Sequence, residues 1–190
     1  MTAERLRRRD AVTAAAAILV GSGVGFLTLE PATAIAGGLF AGLVAAAAIH
    51  DLAEYRLPDT INAAILLLGL GFSLYQASGE TSALIWPLTR ALVVAALLLV
   101  LRSIYLALRR RSGLGLGDVK LASAVAVWLP AEMIAWAVFL ACISALLLVL
   151  AYRLFARREL GRGALVVPFG AFLGPAAWLV WYFATLARPI

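Results

Sequence analysis

The sequence contains little charge and a single cysteine. Only 14% of its 190 residues are Asp, Glu, Lys or Arg, whereas 64% are hydrophobic. Soluble domains have an apolar share of about 45–50%, so these values exclude an ordinary soluble domain. The one cysteine, Cys142, can form neither an intrachain disulfide nor a zinc cluster. We predict no metal site and no cofactor.

The hydrophobic residues form successive apolar segments separated by short polar breaks. A helix of about 17–25 apolar residues crosses a hydrocarbon core of roughly 30 Å. The predicted fold class is therefore all-α: a polytopic transmembrane bundle of six or seven helices, with residues 1–190 as a single domain and no sizeable soluble part. The candidate spans are Ala11 to Leu29, Ala32 to His50, Ile61 to Gln76, Ala83 to Ala107, Asp118 to Leu129, Glu132 to Tyr152 and Ala164 to Leu186. The fifth is short, and it is either a tilted helix or a half-membrane segment.

The basic residues lie between the apolar segments. All of the 16 Lys and Arg residues except Arg90 and Arg188 fall in alternate connections, on one side of the membrane. The positive-inside rule makes that side cytoplasmic. We therefore expect a multi-pass protein of the inner (plasma) membrane with a cytoplasmic N-terminus and, with seven spans, an outer C-terminus. Topology thus explains the net charge of +6, and nucleic-acid binding is not predicted because no basic-aromatic groove is present.

One polar stretch, Gly113 to Lys120, opens the fifth segment and reads GLGLGDVK. It places Asp118 at the entry to an apolar span, and an ionisable residue at membrane depth indicates a functional site. The alternating glycines allow a tight bend and the close approach of another backbone or an extended substrate. A phosphate-binding loop is not favoured, since neither a Walker-type lysine and hydroxyl pair nor a preceding strand is present.

A second carboxylate, Asp51, follows His50 at the end of the second segment. Pro58 breaks the helix, and Asp59 or Thr60 is predicted to cap the next one. Asp51 and Asp118 are expected on the same side of the membrane. Two close carboxylates that share one proton can activate a water and protonate a leaving amine, which is the chemistry of an aspartyl protease.

Three ordered motifs resemble a known family, the type IV prepilin leader peptidases, which are membrane aspartyl proteases of the GxGD class. The motifs are DLAEYRLPDTIN from Asp51, GLGLGDVKLASAVAVWL around Asp118, and VPFGAFL from Val167 to Leu173. The resemblance implies that Asp51 and Asp118 are catalytic and that Gly115 and Gly117 are the GxGD glycines. It further implies supporting positions, without individual roles, at Pro58, Lys120, Pro168, Phe169 and Gly170.

The resemblance also implies the substrate, which is the short basic leader of type IV pilin-like (prepilin or Flp-type) precursors, cut on the cytoplasmic side. Longer family members carry an insertion with paired cysteines and also methylate the new N-terminus. With one cysteine and no such insertion, this chain is similar to the short peptidase-only forms. The expected partners are a pilin-like precursor and the lipid bilayer, while the oligomeric state stays open.

Two alternatives remain open from the sequence. One is another GxGD intramembrane protease, of the presenilin or signal-peptide-peptidase kind. Those place the first aspartate in a Tyr-Asp pair within a span, whereas His50 precedes Asp51 here. The other is a small transporter or membrane scaffold in which Asp118 and Lys120 carry ions or hold helices together.

Overall fold

The structure is a computed structural model that describes residues 29–110, 114–155 and 168–187, together with the single helical residues Ala16, Val20 and Gly23. Within these residues the chain is helical and has no strand. The helices are α1 (Pro31–Glu54), α2 (Asp59–Gln76), α3 (Ile85–Arg109), α4 (Leu116–Ala126), α5 (Ala131–Phe155) and α6 (Gly170–Leu186), and a 3-10 turn (Thr81–Leu84) leads into α3. The all-α helical bundle predicted from the sequence is confirmed.

The predicted spans correspond to α1 to α6, except for the first one, Ala11 to Leu29, nearly all of which lies outside the described residues. The predicted end of the second span at His50 was wrong, because α1 continues to Glu54. It stops there because Tyr55 adopts a left-handed conformation with a φ of 53° and its N–H donates to the Asp51 carbonyl at 3.0 Å. Asp51 therefore belongs to the last turn of α1.

Three helices of the described chain are long and apolar enough to cross a membrane: Pro31–Glu54, Thr81–Arg109 and Ala131–Ala151. Helix α4 is not one of them, since its 11 residues extend only about 16 Å at 1.5 Å per residue. It begins at Leu116, two residues before the predicted start at Asp118. The chain is thus an integral membrane protein with one short helix enclosed by longer ones.

Helix α4 lies inside the bundle and packs against α2, α3 and α6. Leu121 within α4 and Leu129, just after its C-terminal end, are completely buried. At its C-terminal end, Arg90 of α3 donates hydrogen bonds to the carbonyls of Ala126 and Val127 at 3.3 and 3.2 Å. A helix that ends at membrane depth needs such partners, because lipid offers none.

An aromatic cluster holds α4 against α1, α2 and α6. The ring of Trp128 stacks on Phe40 with a centroid distance of 4.2 Å, and Trp181 meets both edge-on. The indole N–H of Trp128 donates to the Ile65 carbonyl at 3.0 Å. A Cβ atom on Gly69 would lie only 2.6 Å from the Trp128 nitrogen, so this close approach requires glycine. The cluster fixes the depth of α4 and with it the position of its first turn.

Candidate active site

Asp51 lies in the last turn of α1 and is only 5% exposed. Its Oδ2 accepts a hydrogen bond from the backbone N–H of Ala171 at 3.0 Å, and the Gly170 amide also bonds to the carboxylate. Both donors belong to the first turn of α6, where backbone N–H groups have no partner inside the helix. The N-terminus of α6 therefore stabilises negative charge at this position.

Asp118 is the third residue of α4 and is half-buried. Its carboxylate interacts with the backbone amides of Gly115, the N-cap residue, and of Gly170. A carboxylate that reaches back to its own N-cap amide is held in one orientation, as in a capping box. A Cβ atom on Gly115 would lie 3.0 Å from Asp118 Oδ2, so a glycine leaves room for that contact.

Gly170 lies between the two aspartates. A Cβ atom placed on it would lie 2.9 Å from Asp51 Oδ2 and 3.4 Å from Asp118 Oδ1. The sum of these two distances is the greatest separation that the two oxygens can have. Carboxylates within such a separation repel each other when both are ionised, which favours protonation of one of them. A pair in this state can supply one ionised carboxylate as a base and one protonated carboxyl as an acid.

A cleft of about 490 Å³ opens onto the two aspartates. Its walls come from the loop between α1 and α2 and from the start of α4; the lining residues are Asp51, Tyr55, Arg56, Leu57, Asp59, Gly115, Leu116, Gly117 and Asp118. Tyr55 and Arg56 are exposed at its rim, while Leu57 is partly buried against the core. The volume is large enough for several residues of an extended peptide.

The prediction that Asp59 or Thr60 caps α2 was wrong. The N-cap residue is Pro58, and no side chain caps the helix. Asp59 is instead drawn to the ammonium group of Lys120, whose Nζ donates to both carboxylate oxygens at 2.7 and 2.8 Å. This ion pair ties the start of α2 to α4, two residues beyond Asp118, and it gives Lys120 a specific contact at the cleft.

The third predicted motif lies at the start of α6. Phe169 is its N-cap residue, and the Phe169 carbonyl accepts the N–H groups of Phe172 and Leu173, each at 3.0 Å. Pro168 precedes this turn, and Gly170 is buried. Gly113 and Val167, from the predicted motifs, lie outside the described residues. The structure thus gathers Asp51 of the first motif, Asp118 of the second and Gly170 of the third at one end of the bundle.

Sequence reasoning missed Leu57 and Ala171. The side chain of Leu57 reaches both Gly117 and Gly170, and Ala171 contributes only its backbone N–H. The sequence does hold a signal for Leu57, because it is an aliphatic residue in an otherwise polar loop, between Arg56 and the Pro58-Asp59 pair. No side-chain pattern identifies a backbone donor such as Ala171.

A model of the type IV leader peptidase family matches residues 38–150. The chain belongs to the type IV leader peptidase family. No curated protein and no solved structure matches this member of the family. The matched region contains Asp51, Leu57, Asp59 and Asp118, whereas Gly170 lies beyond it. Membership makes the chain a leader-peptidase-like protease of the membrane. The placement of Gly170 beside the two aspartates comes from the geometry and not from the family match.

Proposed function

We propose that this leader peptidase is an aspartic endopeptidase whose catalytic residues are Asp51 and Asp118. The observation that carries the proposal is the approach of both carboxylates to Gly170. A Cβ atom built on this glycine would lie 2.9 Å from Asp51 Oδ2 and 3.4 Å from Asp118 Oδ1. Residues far apart in the chain and on three helices converge there. In a bundle built mainly of apolar side chains, bringing two acids together costs free energy. Such convergence therefore indicates a function.

The geometry supports general acid and base catalysis of amide hydrolysis. The ionised carboxylate takes a proton from a water molecule, whose oxygen attacks the scissile carbonyl carbon. The protonated carboxyl stabilises the carbonyl oxygen, and a proton is then passed to the leaving amine as the C–N bond breaks. The amides of Gly170 and Ala171 hold charge on the pair, and the Gly115 amide orients Asp118.

The substrate in this proposal is a type IV pilin-like precursor, of the prepilin or Flp type, which is cut between its basic leader and its apolar helix. Glu54 is exposed at the end of α1 and offers negative charge to the leader beside the cleft. Asp59 is engaged by Lys120, so it contributes less attraction than its position at the cleft suggests. The exposed apolar faces of α3 and α5 allow the precursor helix to lie alongside in the lipid.

The proposed orientation places the cleft at the cytoplasmic face of the inner (plasma) membrane. It follows from the positive-inside rule, since the cleft end carries Arg56, Arg102, Arg109 and Lys120, whereas Arg90 lies at the other end of α4. The proposal is limited to peptide cleavage and includes no methyl transfer.

A cleavage assay tests this function. The purified protein in detergent is incubated with a pilin-like precursor, and the products are identified by mass spectrometry. Cleavage just before the apolar helix is expected for the wild type. The control variant Glu132→Gln, which removes an exposed carboxylate on α5, should cut equally well. Failure of the wild type to cut any pilin-like precursor would overturn the proposed substrate.

A further inference from the structure

Two glycines on different helices form a slot beside the aspartates. Gly117 belongs to the first turn of α4 and Gly170 to the first turn of α6. The side chain of Leu57 fills the slot: its Cβ would lie 3.1 Å from a Cβ on Gly117, and its Cδ1 would lie 2.8 Å from a Cβ on Gly170. A Cβ atom on Gly170 would force Leu57 to move, and one on Gly117 would make an unusually tight contact with it, so glycine at both positions leaves the room that Leu57 occupies.

The loop that carries Leu57 is short and held at both ends. At one end, the Tyr55 N–H donates to the carbonyl of Asp51 at 3.0 Å. At the other end, the Pro58 carbonyl accepts the N–H groups of Ile61 and Asn62 at 3.2 and 3.3 Å, and the proline ring restricts φ. The backbone of Leu57 is therefore fixed between the end of α1 and the start of α2. A loop of this kind is suited to fixing distances and poorly suited to opening and closing.

Each wall of the slot carries part of the candidate active site. Gly117 directly precedes Asp118, and Gly170 touches both carboxylates. The Leu57 loop also continues directly from the turn of α1 that contains Asp51. The volume of the Leu57 side chain thus determines how closely the starts of α4 and α6 approach each other and the end of α1.

We propose that Leu57 is a positioning residue that sets the separation of Asp51 and Asp118 by wedging between Gly117 and Gly170. This inference rests on the proposed function, since it concerns the geometry of that same pair. It also gives Gly117 a reason to be glycine that does not involve the substrate. The wedge acts through packing, and Leu57 itself takes no part in bond making.

The wedge predicts a specific kinetic signature. Leu57→Ala empties the slot, so the carboxylates lose their fixed separation, and kcat falls by about 10- to 100-fold because a misplacement of ~1 Å is enough for such a loss. KM changes less than threefold in this account, since the cleft keeps its other walls. Leu57→Met, which nearly conserves volume, should recover most of kcat.

The experiment measures kcat and KM for the wild type, Leu57→Ala, Leu57→Val and Leu57→Met, with melting temperatures in the same detergent. Leu108→Ala is the matched control, because this leucine of α3 is 77% exposed. If the alanine variant does not fold, Leu57→Val replaces it in the test. It should also lower kcat, by a smaller factor.

Two outcomes would overturn the inference. An increase in kcat/KM, or a fall in KM, for the folded Leu57→Ala variant would show that Leu57 obstructs the substrate site. An unchanged kcat would show that Leu57 only fills space. Both outcomes require an active wild type and leave the proposed function intact, whereas an inactive wild type contradicts the proposed function itself.

Discussion

The carboxylate of Asp51 accepts a hydrogen bond of 3.0 Å from the backbone N–H of Ala171, 120 residues later in the chain. This contact joins the end of α1 to the start of α6. Because the neighbouring Gly170 also faces Asp118, the same turn of α6 organises both acids. The late motif therefore belongs to the candidate active site through its backbone and its lack of a side chain.

Gly170→Ala should strongly reduce cleavage. Its new methyl group would lie 2.8 Å from Leu57 Cδ1 and 2.9 Å from Asp51 Oδ2, so either the wedge or the carboxylate must move. We expect kcat/KM to fall by more than about 100-fold and the free energy of unfolding to fall by about 1–3 kcal/mol. Cleavage rates and thermal unfolding in detergent measure the two effects.

Gly71→Ala is the matched control for this change. Gly71 lies within α2, and a Cβ atom there meets nothing within 4 Å. Alanine is favoured over glycine inside a helix by about 1 kcal/mol, so this variant should be fully active and at least as stable as the wild type. A fully active Gly170→Ala enzyme would contradict the geometry described for the two aspartates.

The ion pair between Lys120 and Asp59 should matter for activity more than for stability. Both side chains are exposed, and exposed pairs contribute only about 0.2–1 kcal/mol. Asp59→Asn and Lys120→Gln should each lower kcat/KM about tenfold, because the pair aligns the first turns of α2 and α4 beside Asp118. The double variant should lose little more than either single variant. Losses that multiply in the double variant would show that the two residues act separately.

Arg90 should stabilise the bundle without affecting the chemistry. Its guanidinium bonds to the carbonyls at the end of α4, and leaving such groups without a partner costs about 1–3 kcal/mol. Arg90→Gln should therefore lower the melting temperature of the protein in lipid nanodiscs while KM stays unchanged. Arg109→Gln, at the exposed end of α3, is the control and should leave the melting temperature unchanged.

Much of the fold and the two central acids could be predicted from the sequence. Apolar segment length is enough to predict transmembrane helices, and Asp51 and Asp118 are conspicuous because acids are rare in such a chain. The end of α1 was predicted wrongly because a left-handed Tyr55 has no clear sequence signal. The partner of Lys120 and the slot for Leu57 depend on contacts between segments far apart in sequence, which periodicity does not reveal.

The central claim is that Asp51 and Asp118 together hydrolyse the leader peptide bond. The most direct test compares single-turnover cleavage of a pilin-like precursor by the wild type, Asp51→Asn and Asp118→Asn, each reconstituted in lipid and matched for melting temperature. An amide preserves the size of the carboxyl group but cannot serve as the base or share the proton. The account predicts cleavage by the wild type and none by either variant, and an Asp118→Asn enzyme that still cuts the precursor would contradict it.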